Sequence, residues 1–260
     1  MSGAGPGGEP GGEPGGEVLR GGVNVVRRVG HTVRRPVGPW TPAVHALLRH
    51  VAAAGFPGAP RVHGIDPEGR EVLDFVPGEV GDAAPAGDAA VAAAGRLLRG
   101  YHDATAGFVA PPDARWYLPP REPAEVICHG DAATYNCVFR DGLPVAWIDF
   151  DTAHPGPRGW DAAYTAYRFV PLSAGGEVRA QAARLRAFLD GYGDGLGGPA
   201  RLLDVAAERL RALVDHMRRR AAAGDEAFRR HLADGHDRLY LADTAYIEAS
   251  AAAIVDSMPA

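Results

Sequence analysis

Three side chains with oxygen ligands stand out for their spacing: Asp131, Asn136 and Asp149. Between the last two run Cys137-Val138-Phe139-Arg140, the dipeptide Asp141-Gly142, and an apolar stretch from Leu143 to Trp147. Asp-Gly between two apolar runs is a strong signal for a two-residue hairpin. It predicts Arg140 opposite Leu143, Val138 opposite Val145 and Asn136 opposite Trp147, with Asp149 two residues beyond that pair. One carboxylate before the hairpin, one carboxamide at its mouth and one carboxylate on its return strand then meet at one edge. Such a set suits a hard cation like Mg²⁺, which takes one or two protein ligands and fills its shell with phosphate oxygens and water. Taken singly, each Asp reads equally well as a cap or an Asx turn. The weight lies in the joint spacing.

The elements that must position these residues fall into two kinds. Residues 23–29 and 32–35 form short β-branched runs around a turn at Gly30-His31, which predicts a hairpin, and 61–64 and 71–76 are further strands. Between them Pro42 can open a helix over 43–54, where Val44, Leu47, Leu48 and Val51 recur at helical spacing and Gly55 closes it. After Gly78 the pattern turns helical. Amphipathic segments are expected over 88–104, 161–169, 177–192, 199–223 and 225–253, the last broken near Gly235, and a short strand over 125–128. The expected organisation is a Gly/Pro/Glu tail (1–17) read as disordered, a small β-rich lobe (18–78) and a larger helical lobe (79–260) carrying the hairpin.

Composition excludes several classes. All 27 basic residues are arginine, so a Walker A phosphate loop and a Schiff-base lysine are both ruled out. The formal charge of -5 includes Glu9, Glu13 and Glu17 of the tail, and the remainder carries no nucleic-acid or membrane signature. The N-terminus has neither the basic nor the apolar region of a secretory segment, and the protein is expected to be cytoplasmic, a monomer or weak dimer. Cys128 and Cys137 match no zinc or redox spacing and read as small buried hydrophobes. His102 reads as a packed polar residue, and His216, His231 and His236 as solvated surface. Trp116 and Tyr117 suit either a pocket wall or an anchored Pro-rich loop.

His129-Gly130-Asp131, Asn136 five residues on, and Ile148-Asp149-Phe150-Asp151 resemble the catalytic loop and metal segment of the aminoglycoside phosphotransferase and choline kinase family. Gly21-Gly22-Val23-Asn24 is similar to its nucleotide loop, Asp74-Phe75-Val76-Pro77-Gly78 to its interlobe hinge, and Gly159-Trp160-Asp161 to the segment after its metal site. The wording of Gly-Gly-Val-Asn-Val-Val and Cys-Val-Phe-Arg-Asp-Gly is closest to an actinobacterial branch of the trifolitoxin immunity type. The resemblance implies an α+β, bilobal protein-kinase-like fold and transfer of the γ-phosphoryl group of ATP to the hydroxyl of a small-molecule acceptor. Asp131 would be the catalytic base, and Asn136 and Asp149 would hold Mg²⁺. Gly21, Gly22, Asn24, Asp74 and Val76 would face the nucleotide. His129 would brace the loop, Asp161 would accept its hydrogen bonds, and Asp151 would be an orienting residue or a further metal contact.

The sequence departs from the family at the strand lysine and its helix glutamate. Arg34 is expected at the lysine position, with Arg35 the alternative on the opposite strand face. Residues 18–65 hold seven arginines and no acid, so helix 43–54 cannot supply the usual ion pair. An arginine fork binds phosphate well and stays charged without a partner. Two function classes stay open: an active kinase of resistance or immunity type, and a nucleotide-binding pseudokinase or immunity protein acting by sequestration. A metal-dependent phosphohydrolase ranks third. The acids of the last helices alternate with arginine, the pattern of a solvated face, and leave the acceptor unidentified.

Overall fold

Short β-branched runs on one side of Gly78 and Ala/Leu/Arg-rich runs on the other divide the chain as their propensities dictate. The computed structural model describes residues 16–19, 26–81 and 87–259. The glycines and asparagine of the expected nucleotide loop, Gly21, Gly22 and Asn24, lie outside the described residues, as do residues 1–15 of the tail.

An antiparallel five-stranded sheet holds β1 (Glu17–Leu19), β2 (Val26–Val29), β3 (Thr32–Arg35), β4 (Val62–Ile65) and β5 (Glu71–Asp74) in the order β1-β2-β3-β5-β4. Glu17, assigned to the tail by composition, belongs to this sheet, its Cα opposite Arg28. Helix α1 (Thr41–Ala53) starts with Pro42 in its first turn and buries Val44, Leu47, Leu48 and Val51, the stripe its periodicity predicts.

The second lobe comprises α2 (Asp88–Ala104), β6 (Val126–Cys128), the hairpin β7 (Cys137–Arg140) and β8 (Leu143–Trp147), β9 (His154–Gly156), α3 (Arg158–Phe169), α4 (Val178–Tyr192), α5 (Gly198–Ala222), α6 (Glu226–Ala233) and α7 (His236–Asp256). The break before α7 falls at Gly235, whose φ of 83° suits glycine. One hydrophobic core runs through both lobes, from Leu47 and Leu73 through Leu98 and Trp147 to Phe188 and Ile254. Both cysteines are buried and free. Among the described residues no helix is long and apolar enough to cross a membrane.

The hairpin register differs from expectation by one residue beyond its tip. Arg140 does face Leu143, around a turn with positive φ at both Asp141 and Gly142. Past it, Phe139 faces Pro144 and Val138 faces Ala146, so Val145 is bulged out and Cys137 takes Trp147 as partner. Proline has no N–H for the ladder. Phe139 turns its own N–H outward to the Glu79 carbonyl (2.8 Å) and accepts the Glu79 N–H in return (2.9 Å). Arg140 adds a bond from Nε to the Pro77 carbonyl (2.9 Å). The interlobe segment 75–80 is thereby docked on the hairpin.

Candidate active site

Strand β6 delivers the chain to His129-Gly130-Asp131, a turn built from inside the helical lobe. Gly130 has φ 83°, and a Cβ there would run into the Thr152 carbonyl, so both backbone and space demand glycine. Asp161, in the first turn of α3, accepts the N–H groups of His129 (2.7 Å) and Gly130 (2.9 Å). His102 of α2 adds a bond to Asp161 Oδ2 (3.0 Å) and is itself held by the Tyr192 hydroxyl of α4 (2.7 Å). Burial alone would raise the Asp161 pKa, but His102 and the loop amides outweigh it and hold the carboxyl at about 2. His129 is buried, which pushes its pKa down. Its Nε2 bonds the Ile148 carbonyl (3.0 Å), which leaves Nδ1 to accept the Asp131 N–H (3.3 Å), a neutral ring bracing the loop.

Asp161→Ala is expected to cost about 3–5 kcal/mol, because two loop amides and a buried histidine lose their partner together. Since its pKa is depressed on folding, the Asp161 contribution is present in full above pH ~4 and fades as pH falls towards ~2. Urea unfolding of both proteins across that range checks both statements.

Asp131 faces the cleft with each oxygen engaged. The Tyr135 hydroxyl donates to Oδ1 (2.6 Å) and Asn136 Nδ2 to Oδ2 (2.8 Å). The Tyr164 hydroxyl stands 3.0 Å from that of Tyr135. Burial pushes the Asp131 pKa up to about 6 against the pull of Tyr135 and Arg209. A carboxylate so poised is a strong base near neutral pH and is still largely deprotonated there. Asn136 spends its amide nitrogen on Asp131, which leaves the side-chain carbonyl oxygen free to accept or to ligate. Through the shifted register its backbone carbonyl accepts the Ile148 N–H (2.9 Å), so Asp149 follows beside it on the return strand. Asp149 sits in the left-handed region at φ 62° with its side chain 48% exposed.

The cation facing Asp149 is Arg35. Its Nη1 lies 2.7 Å from Asp149 Oδ1, its Nη2 pairs with Asp151 and its Nε with Glu71. Arg34, on the other strand face, turns instead to Thr32 and to Asp66 (3.5 Å). Burial opposes the Arg35 charge, but Asp149, Asp151 and Glu71 overcome it and hold the group protonated. Asp151 has its pKa pushed up by burial, with Arg35 pulling the other way. Glu71 is buried and also meets His45 Nε2 of α1 (2.9 Å). In place of the helix acid that the sequence lacks, β5 supplies Glu71, the direct cross-strand partner of Arg35, and the helix offers a histidine behind it. Asp74 spends its carboxylate on His63 (2.6 Å) and the Arg61 N–H (3.2 Å), and Val76 lies half-buried in the segment docked on the hairpin. His216 is not solvated: it packs between Tyr117 (5.9 Å) and Phe228 (5.4 Å). Tyr117 also stands edge-on to Trp40 (4.9 Å), which anchors the Pro-rich loop.

Known proteins carry the same organisation. Residues 112–204 match the model of the phosphotransferase enzyme family, a span that includes Asp131, Asn136, Asp149 and Asp161. The trifolitoxin immunity protein of Rhizobium leguminosarum bv. trifolii is 37% identical over 187 residues, 66% of this chain and 72% of that protein. A choline/ethanolamine kinase family protein from Mesorhizobium loti superposes with a TM-score of 0.62 at 18% identity, covering 92% of each chain. An amicoumacin kinase solved with AMP-PNP and Ca²⁺ gives 0.62 at 14% identity over 84% of this chain and 87% of its own. A microcompartment-associated aminopropanol kinase gives 0.61 at 16% identity over 92% and 93%. These three share the kinase-like fold, and the immunity protein shares its sequence over most of its length. On these grounds, with the loop, hairpin and sheet arranged as described, the chain belongs to the phosphotransferase enzyme family.

Proposed function

We propose that the protein is an ATP-dependent kinase of a small hydroxylated acceptor, in a resistance or immunity role. The observation that carries this reading is the convergence of Asp131, Asn136, Asp149 and Arg35 at one cleft edge, a base beside two oxygen ligands and a phosphate-binding fork. Asp131 takes the proton of the acceptor hydroxyl as that oxygen bonds to the γ-phosphorus. The bond from phosphorus to the β,γ-bridging oxygen breaks, giving a phosphate ester and ADP. Arg35 orients the nucleotide phosphates, and its fork offsets charge on them. The Asn136 carbonyl oxygen and the Asp149 carboxylate fit Mg²⁺, which supplies charge neutralisation on the phosphates when bound. Among the described residues no group of three or more His, Cys, Asp or Glu side chains is arranged to hold a metal.

Sequestration without turnover is the second reading, favoured by the Arg35 clamp on Asp149 and Asp151. ADP release with and without a panel of hydroxylated acceptors, with the ester identified by mass spectrometry, separates the two. Acceptor-stimulated release supports the kinase; binding with no release under any acceptor supports sequestration.

Asp149→Asn tests the metal assignment with the backbone spared, because asparagine tolerates the left-handed conformation better than alanine. Removing its charge should weaken Mg²⁺-dependent ATP binding by about 10- to 100-fold, the value of a charge-assisted contact. Unchanged Mg²⁺-ATP titration in this variant would rule the assignment out.

A further inference from the structure

Beside Asp131 the helical lobe presents aromatic rings, and the protein's own cations already cover them. Tyr164 and Arg168 follow Asp161 along one stripe of α3, one and two turns on. The Arg168 guanidinium lies 5.0 Å from the ring centre of Tyr135, the tyrosine bonded to Asp131, and 6.0 Å from that of Tyr167. Arg209 of α5 lies 4.8 Å from the Tyr164 ring and 5.4 Å from Trp160. Ring faces grouped in this way are what bind ammonium ligands. Here those faces are taken, and an incoming cation would meet like charge.

The two arginines differ in what satisfies them. Arg209 donates Nη2 to the Gly130 carbonyl (2.8 Å) and so holds the catalytic loop. Among the described residues Arg168 has no carboxylate within salt-bridge distance, and its buried Nε has no hydrogen-bond partner. A buried charged donor without an acceptor is costly to keep. Of the nearby acids, Asp243 faces the Arg168 charge but spends its hydrogen bond on the Tyr167 hydroxyl (2.6 Å), and further out Glu248 and Asp237 pair with Arg211 and Arg218.

We propose that the acceptor carries an anionic group, a carboxylate or a phosphate, near the hydroxyl to be phosphorylated, and that Arg168 determines specificity by binding it. The acceptor's role rests on the kinase reading; the anion site itself does not. A planar fork whose buried Nε lacks an acceptor suits either oxyanion. The same arrangement disfavours polycationic acceptors, since Arg209 acts on Asp131, Arg168 covers the tyrosine bonded to it, and among the described residues no unpaired acid cluster stands beside them.

The test follows the Arg168 Nε–Hε resonance in the full-length protein without nucleotide, assigned by its loss in Arg168→Met. Two matched pairs are titrated, N-acetylserine against N-acetylserinamide and glycerol 3-phosphate against glycerol, with kanamycin as the polycation. At least one anion should give a saturable shift about tenfold or more tighter than its neutral partner, and the pair that does so tells carboxylate from phosphate. Binding of that anion, read by calorimetry, should disappear in Arg168→Met and persist, weakened, in Arg168→Lys, with thermal melts showing both folded. Equal binding of anion and neutral partner, a shift with kanamycin, intact anion binding in Arg168→Met, or no saturation by either anion at about 100 mM overturns the proposal. Separate Mg²⁺-ATP titration of the unaltered protein keeps the two readings apart. Anion binding without ATP binding removes the kinase reading alone, and ATP binding without anion binding removes this site alone.

Discussion

Asp131→Asn will lower phosphoryl transfer by about 10²- to 10⁴-fold, the range supplied by a positioned general base, while Mg²⁺-ATP affinity stays within about threefold. The carboxylate is bonded to Tyr135 and Asn136 and not to Arg35, so on the proposed mechanism its loss removes the proton acceptor and leaves the phosphate contacts standing. The pH dependence gives a second, independent readout. With a pKa of about 6, Asp131 makes the wild-type rate rise with pH through that value, and the residual rate of the variant should lack the step. Stability moves the other way. A carboxyl whose pKa is raised on folding favours the folded state when protonated, so wild-type stability falls between pH ~4 and ~6 and stays lower above it. The variant does not titrate there, and its melting temperature should gain on the wild type across that window. A large loss of ATP binding in a folded Asp131→Asn protein would mean that Asp131 serves the metal.

Arg35→Ala is the other large effect, and here binding and stability fall together. Truncation removes the partner of buried Glu71 and leaves Asp149 and Asp151 facing each other without a cation. Breaking a buried pair from one side costs about 3–5 kcal/mol, and loss of the fork should weaken ATP binding by about 10- to 100-fold. Arg34→Ala, which gives up a contact to Asp66 at 3.5 Å, should change stability by less than about 1 kcal/mol and leave ATP binding intact. Arg35→Lys keeps the charge without the three-way fork. It should fold and recover part of the affinity, which separates a binding defect from misfolding. Chemical unfolding and Mg²⁺-ATP titration of the three variants decide the matter: a silent Arg35→Ala beside a crippled Arg34→Ala would return the phosphate role to Arg34.

The contrast between these arginines shows where sequence reasoning stopped. Strand periodicity places Arg34 and Arg35 on opposite faces but does not say which face is the cleft, and a one-residue slip exchanges them. In the sheet β5 sets Glu71 opposite Arg35, and Arg35 is the arginine that reaches Asp149 and Asp151. Nothing local marks Glu71, which reads only as the first residue of strand 71–76, and its partner lies 36 residues back. His45 was equally silent, one polar residue in a helix defined by its apolar stripe. The spacing from Asp131 to Asp149 was legible because a two-residue turn fixes both arms of a hairpin at once. Even there, Pro144 and the outward pairing of Phe139 with Glu79 inserted a bulge that no periodicity announces. Arg168 carried no signal in one dimension, because its meaning lies in the partner it lacks.

The docking of segment 75–80 on the β7–β8 hairpin bears on how this lineage can diversify. Asn136 and Asp149 grow from one end of that hairpin and the hinge is fixed to the other, so the nucleotide end of the molecule forms one shared chassis. Helix α5 packs on α3, α6 and α7. On the proposed kinase reading, gene duplicates can drift in α5 and α7 towards new acceptors while inheriting the same phosphate chemistry. Arg209 is the tether on that freedom, because it reaches from α5 to the Gly130 carbonyl and ties any remodelling of the acceptor wall to the position of the base.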